Sequence, residues 1–226
     1  MNPFLEDKLI MRYLDDVYKK TSDNRLIDES VRRDILKRVK DACEITNLSY
    51  SDLLQRLDLK PNSLSIEALE SFLAELRSIF WLRDFSFMNI EPLQAKKKSV
   101  LPDFTARYGD KTCAVEVFCI TQSHEQKRDS KFGVYVNFDP QFNGSKFGRD
   151  FISVANNKKK QLDALVADMK ILLCVVNSSP MVALNTKNDF DKHAKFLYEK
   201  LGWGNGYYVG ILAGGDSDTI YPKLNP

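Results

Sequence analysis

The chain has 226 residues, with 33 lysines and arginines against 31 acids and a net charge of +2. So even a balance does not mark a nucleic-acid binder by charge alone. A hydrophobic share of 43% and a charged share of 28% are ordinary for a soluble globular protein. No apolar run approaches the ~18–20 residues that a bilayer requires.

This length allows one large domain, or a core domain with a smaller attachment. The opening stretch MNPFLEDKLIMRYLDD is interrupted by charge and does not read as a signal peptide. Cys43, Cys113, Cys119 and Cys174 have neither paired nor metal-ligand spacing, and His124 and His193 are the only histidines. Zinc and disulfides are therefore not expected, and a cytoplasmic protein with reduced thiols is.

The first ~90 residues read as helical. Pro3 opens a helix with Phe4, Leu5, Leu9, Ile10 and Tyr13 on one side. A second helix is predicted over 30–45, with Val31, Ile35, Leu36, Val39, Ala42 and Cys43 as its stripe. A short helix follows, capped by Ser49 or Ser51 and stopped before Pro61. A long helix over 65–83 carries Ile66, Leu69, Phe72, Leu73, Leu76, Ile79 and Phe80 on its apolar side.

The pattern then changes. A strand is expected to start near Phe85 and end at Pro92, followed by strand, Gly-Asp turn and strand in PDFTARYG-D-KTCAVEVFCIT. Residues 123–147 are polar apart from VYVNF. A helix over 150–168 leads into the buried strand KILLCVVNS. A further helix over 189–201 precedes GYYVGILAG, read as a turn and a last or edge strand. The expected fold is α/β, a mixed central sheet flanked by helices. Residues 1–63 are read as a helical extension or cap and 64–226 as the core.

The chemistry is expected between Ser99 and Phe118. Alternation along Lys111–Thr121 puts Cys113, Val115, Val117 and Cys119 on one side, and Ala114, Glu116, Phe118 and Ile120 on the other. Glu116 is thus a lone carboxylate on an apolar face and needs a partner, because an unpaired buried charge is very costly. Asp103, after Pro102 at the head of the preceding strand, is a fellow anion. A divalent cation between the two would resolve the conflict, and hard oxygen ligands suit Mg²⁺. A salt bridge to a nearby Lys or Arg, or a strand end open to water, would resolve it too. Three basic groups, Lys96-Lys97-Lys98, Lys158-Lys159-Lys160 and Arg32, Arg33, Lys37, Arg38 and Lys40, fit a phosphate-bearing substrate or solvated surfaces.

Glu75 on a helix, then Pro102-Asp103, then Glu116 on a strand, then NNKKKQLDAL leading to ILLCVV resembles the PD-(D/E)XK nuclease superfamily, with its restriction-endonuclease-like core. The resemblance spans roughly residues 65–180. It departs where the family has lysine two residues after the glutamate, since this chain has Phe118 there. Members of the superfamily also supply that lysine from another element. Lys158, one helical turn before Gln161, is the first choice. Lys160 lies on a different face. Lys111 faces away from Glu116 and lies about 17 Å along the strand.

The resemblance implies an Mg²⁺- or Mn²⁺-dependent deoxyribonuclease. Asp103, Glu116, the Val117 carbonyl and Glu75 would serve the metal, with Lys158 and Gln161 as further catalytic groups. Lys96, Lys97, Lys98, Lys159 and Lys160 would contact DNA. Glu75 could equally pair with Arg77 or Arg83. The alternative is a catalytically lapsed member that binds nucleic acid or a protein. The amino-terminal helices are read as a cap that helps clamp substrate or mediates homodimerisation.

Overall fold

The computed structural model describes residues 3–23, 26–57, 59, 64–93, 100–120, 146–176 and 186–224. It is an α/β fold built on a six-stranded mixed sheet with helices on both faces.

Four helices come first: α1 (Pro3–Thr21), α2 (Glu29–Thr46), α3 (Tyr50–Arg56) and α4 (Ile66–Asp84). In α1, Ile10, Tyr13, Leu14 and Val17 form the buried stripe at helical spacing. Leu9, expected on that stripe, is 48% exposed, because burial centres on the Leu14 side of the helix. Asp28 caps α2 by accepting from the Ser30 N–H, and Asn47 ends it in the left-handed conformation. Val31 lies at the edge of its stripe and is exposed, whereas Ile35, Val39 and Ala42 are buried. Ser49, one of the two predicted caps, takes the Asp52 N–H at the start of α3.

Ser65 caps α4 by accepting from the Ala68 N–H. This helix is buried on more than one side, down to Ala74 and Ser78, because it lies between α2 and the sheet. Ser78 satisfies its buried hydroxyl by donating to the Ala74 carbonyl.

The strands are β1 (Met88–Pro92), β2 (Phe104–Tyr108), β3 (Lys111–Ile120), β4 (Met169–Val176), β5 (Tyr207–Leu212) and β6 (Thr219–Tyr221), in spatial order β1-β2-β3-β4-β5-β6. β2 pairs antiparallel with both β1 and β3, and Gly109 supplies the positive φ of +59° in the β2–β3 turn. β3, β4 and β5 run parallel, and β6 turns back antiparallel on β5. β5 is therefore an interior strand, since the three residues of β6 cover the edge it was expected to form.

The parallel crossovers use α5 (Lys146–Asp163) and α6 (Lys187–Leu201). α5 was predicted to reach residue 168 but stops at Asp163. Asp168 instead accepts from the Thr112 N–H at 2.8 Å and ties the approach to β4 onto β3. α6 opens with a reciprocal capping box between Thr186 and Asp189.

The two sheet faces carry separate cores. Val115, Val117, Ile171, Leu173 and Val175 pack with α1–α4. Ala114, Leu172, Cys174, Val209 and Ile211 pack with α5 and α6. Side chains from α1, α2 and α3 run without a break into the first of these cores. None of the four cysteines is in a disulfide. Among the described residues no helix is long and apolar enough to cross a membrane.

Candidate active site

Strand alternation sends Glu116 toward α5, the face it shares with buried Ala114 and partly buried Phe118. The carboxylate is fully buried at mid-strand. Lys158, in the fourth turn of α5, reaches down and donates a hydrogen bond to Glu116 Oε1. The second oxygen, Oε2, is buried without a hydrogen-bond partner. In a packed interior such an atom costs roughly 1–3 kcal/mol unless something binds it.

Asp103 sits just ahead of β2, and the β2–β3 register brings it opposite this part of β3. Its Oδ2 accepts from the Val117 N–H at 2.7 Å. The loop that carries it is held at two points. Asp103 O accepts from the Leu93 N–H at 2.8 Å beyond β1, and Leu101 O accepts from Gln161 Nε2 at 3.3 Å on α5. Glu75 on α4 is half-buried and close enough for its charge to act on Lys158.

The acids perturb one another. Burial, and then the neighbouring Asp103 charge, push Glu116 up to about 8 against the pull of Lys158. Burial also raises Asp103, with Lys158 and the Val117 amide opposing it. Burial works against the charge on Lys158, but Glu116, Asp103 and Glu75 outweigh it and hold the ammonium above its ordinary range. Two carboxyls this close resist ionising together. The stable arrangement at neutral pH is a charged lysine against an acid pair that retains a proton.

The structure thus brings Asp103, Glu116 and Lys158 together, with Glu75 at the margin. Phe118, where the family pattern has lysine, packs into the α5-side core. Lys111 is exposed at the far end of β3. The Val117 group that faces Asp103 is its N–H; its carbonyl was the predicted ligand. Gln161 touches the backbone of the Pro-Asp loop and so acts as a positioning residue.

Lys159 pairs with Asp163 at 2.6 Å and donates to Tyr207 Oη at 3.0 Å, so its charge is largely spent within the fold. Lys160 is exposed. Lys96, Lys97, Lys98 and His124 lie outside the described residues. Among the described residues, no group of three or more His, Cys, Asp or Glu is arranged to hold a metal ion. Two carboxylates do converge, one with an orphaned oxygen, and that donor set fits a hard divalent cation.

Two features lie beyond the sequence reading. The basic cluster on α2 is neutralised residue by residue: Arg33 with Glu29, Lys37 with Asp41, Arg38 with Asp34, Lys40 with Asp7 and Arg32 with Asp15. Three of these five pairs have i,i+4 spacing, a signal already present in the sequence. Tyr207 has Lys159 and Lys170 near its ring and donates from its hydroxyl to Asp163. Only the fold brings those residues together. No family model, curated protein or solved structure matches the chain.

Proposed function

We propose that the protein is a metal-dependent nuclease of the PD-(D/E)XK type that hydrolyses phosphodiester bonds in DNA, with its lysine supplied by α5. The observation that supports this reading is the pairing of buried Glu116 with Lys158 from a different element, beside Asp103. An ion pair with Lys158 satisfies Oε1 and leaves Glu116 Oε2 without a hydrogen-bond partner.

Asp103 and Glu116 would hold Mg²⁺ or Mn²⁺, with Glu75 contributing at the margin. When bound, the ion polarises the scissile phosphate and lowers the pKa of an attacking water. Binding requires the acid pair to give up its remaining proton, so loading is favoured as pH rises. Lys158 keeps a positive charge at the site, suited to developing charge on a phosphate. Gln161 holds the Asp103 loop to α5, so that the acid stays in register with Glu116. Lys160 and the Lys96–Lys98 run are the proposed contacts to the DNA backbone.

The test is nicking of supercoiled plasmid by the full chain with Mg²⁺ or Mn²⁺, and with chelator as control. Asp103→Ala and Glu116→Ala should each reduce cleavage by roughly 100-fold or more. Lys158→Met should do so while metal binding persists. No metal-dependent cleavage by wild-type protein, or full activity in both acid variants, would overturn the proposal.

The closed Lys158–Glu116 pair also favours a second reading, in which the acids are neutralised internally and the protein binds nucleic acid or a protein without cutting. Metal-independent DNA retention without nicking would support that reading instead.

A further inference from the structure

The amino-terminal helices reach the acid site through the edge of the sheet. β1 is an edge strand, and Glu91 and Pro92 at its end pair with Thr105 and Phe104 of β2. One position further, the Leu93 N–H donates to Asp103 O at 2.8 Å, so the β1–β2 pairing extends to the acid itself. Successive residues of a strand turn their backbone groups to opposite sides. Leu93 faces β2, and Pro92 therefore faces the open edge. There a proline forfeits no ladder donor, and its carbonyl is left for a partner other than a strand.

Arg56 takes that carbonyl. It is the last residue of α3, and its Nη1 donates to Pro92 O at 2.9 Å and to Glu91 Oε1 at 2.8 Å. The helix behind it is fixed, because Tyr50, Leu53 and Leu54 are buried in the core that α1, α2 and α4 share. The Arg56 side chain is 29% exposed and that of Glu91 56%. An ion pair so open to water contributes little. The directed bond to the Pro92 carbonyl is the part that fixes position.

Three hydrogen bonds thus run in series from the helical extension to the buried acids: Arg56 to Pro92 O, Leu93 to Asp103 O, and Val117 to Asp103 Oδ2 at 2.7 Å. Val117 directly follows Glu116. The end of an edge strand opens at a lower free energy than the body of a sheet. Without Arg56, the Leu93–Asp103 bond would lie at such an end.

We propose that Arg56 is a positioning residue for the acid site. It holds the end of β1, and through Leu93 the backbone of Asp103, so that the Asp103 carboxylate stays opposite β3. Gln161 holds the same loop from α5, and Arg56 holds it from the helical extension. The consequence for metal binding rests on the reading of Asp103 and Glu116 as metal ligands.

The test compares Arg56→Met, which keeps the aliphatic stem and loses the donor, with Glu91→Gln, which loses the ion pair and keeps the carbonyl bond. Amide exchange is read residue by residue in the metal-free full chain. In Arg56→Met the Leu93 and Val117 amides should exchange about tenfold faster relative to those of β4 than they do in wild type. Isothermal titration with Mg²⁺ should show binding weakened about fivefold, the effect of one hydrogen bond. Glu91→Gln should match wild type in both readouts.

A uniform rise in exchange that includes β4 would make Arg56 a general stabiliser and overturn the proposal. So would wild-type protection of Leu93 and Val117 in Arg56→Met, or an equal effect of Glu91→Gln. Unchanged Mg²⁺ affinity in Arg56→Met, where wild type binds the ion, would overturn it too. If wild type binds no Mg²⁺, the metal-site reading fails and the exchange pattern alone decides the role of Arg56.

Discussion

The two charge-rich parts of this molecule, the face of α2 and the pocket under α5, contain the same kinds of residue and behave differently. On α2 five basic residues each meet an acid, and most of those partners remain open to water. Under α5 one lysine meets one glutamate, but the glutamate is fully buried and a second acid lies beside it. Water screens the first set until the net field is small. It is excluded from the second, where every uncompensated charge shifts a proton equilibrium. Burial, and not the density of charged letters, distinguishes a solvated face from a pocket whose proton equilibria are shifted.

The sharpest way to break this contrast is to remove one partner from each region. Lys158→Ala leaves the Glu116 carboxyl buried with no cation, and should destabilise the fold by about 3 kcal/mol. Much of that loss should be recovered in the Lys158→Met, Glu116→Leu double variant, which replaces the pair by apolar groups. Urea unfolding of the three proteins checks both statements. Equal stability of Lys158→Ala and wild type would mean that the pair is not closed in solution.

Next in size is a pH effect with a definite sign. Glu116 is raised in the folded state to about 8, above its ordinary value of 4.5. The stability this contributes is complete below about pH 4.5 and is lost as pH rises through 8. At roughly 1.4 kcal/mol per pH unit between the two values, the span amounts to a few kcal/mol. Glu116→Gln removes this dependence, so its stability relative to wild type should improve steadily from pH 5 to pH 8.5. Urea midpoints at those two pH values decide it. Added Mg²⁺ should raise the wild-type melting temperature more at pH 8 than at pH 6, and should leave Glu116→Gln unmoved.

Much of the frame was legible because its signals are local. Caps such as Ser49, Ser65 and Asp28 satisfy nearby amides, and the continuous apolar run of β4 can only be an interior strand. Alternation along β3 placed Glu116 on the α5 face, and helical spacing favoured Lys158 over Lys160. What remained hidden depends on contacts between distant backbone groups. β6 is three residues long and is defined by its pairing with β5. α5 ends at Asp163, and Asp168 then meets Thr112 at the start of β3, far away in sequence.

The smallest predicted effect tests how the site is held. Gln161 was expected as a further catalytic group, but its amide donates to the Leu101 carbonyl, two residues before Asp103. Gln161→Leu keeps the bulk and deletes one hydrogen bond to a partly buried loop, a loss of about 1 kcal/mol. A positioning role predicts weaker Mg²⁺ binding, because Asp103 is no longer fixed opposite Glu116, with a urea midpoint lowered only by that ~1 kcal/mol. Isothermal titration of the metal reads this without any cleavage assay. Gln161→Glu, of the same length but unable to donate to a carbonyl when ionised, should behave like the leucine variant. Asn at 161 is one methylene too short and should behave likewise. If all three bind metal as wild type does, the Asp103 loop is held by the Leu93–Asp103 backbone bond and β2 alone, and the site is a property of the sheet rather than of the sheet and α5 together.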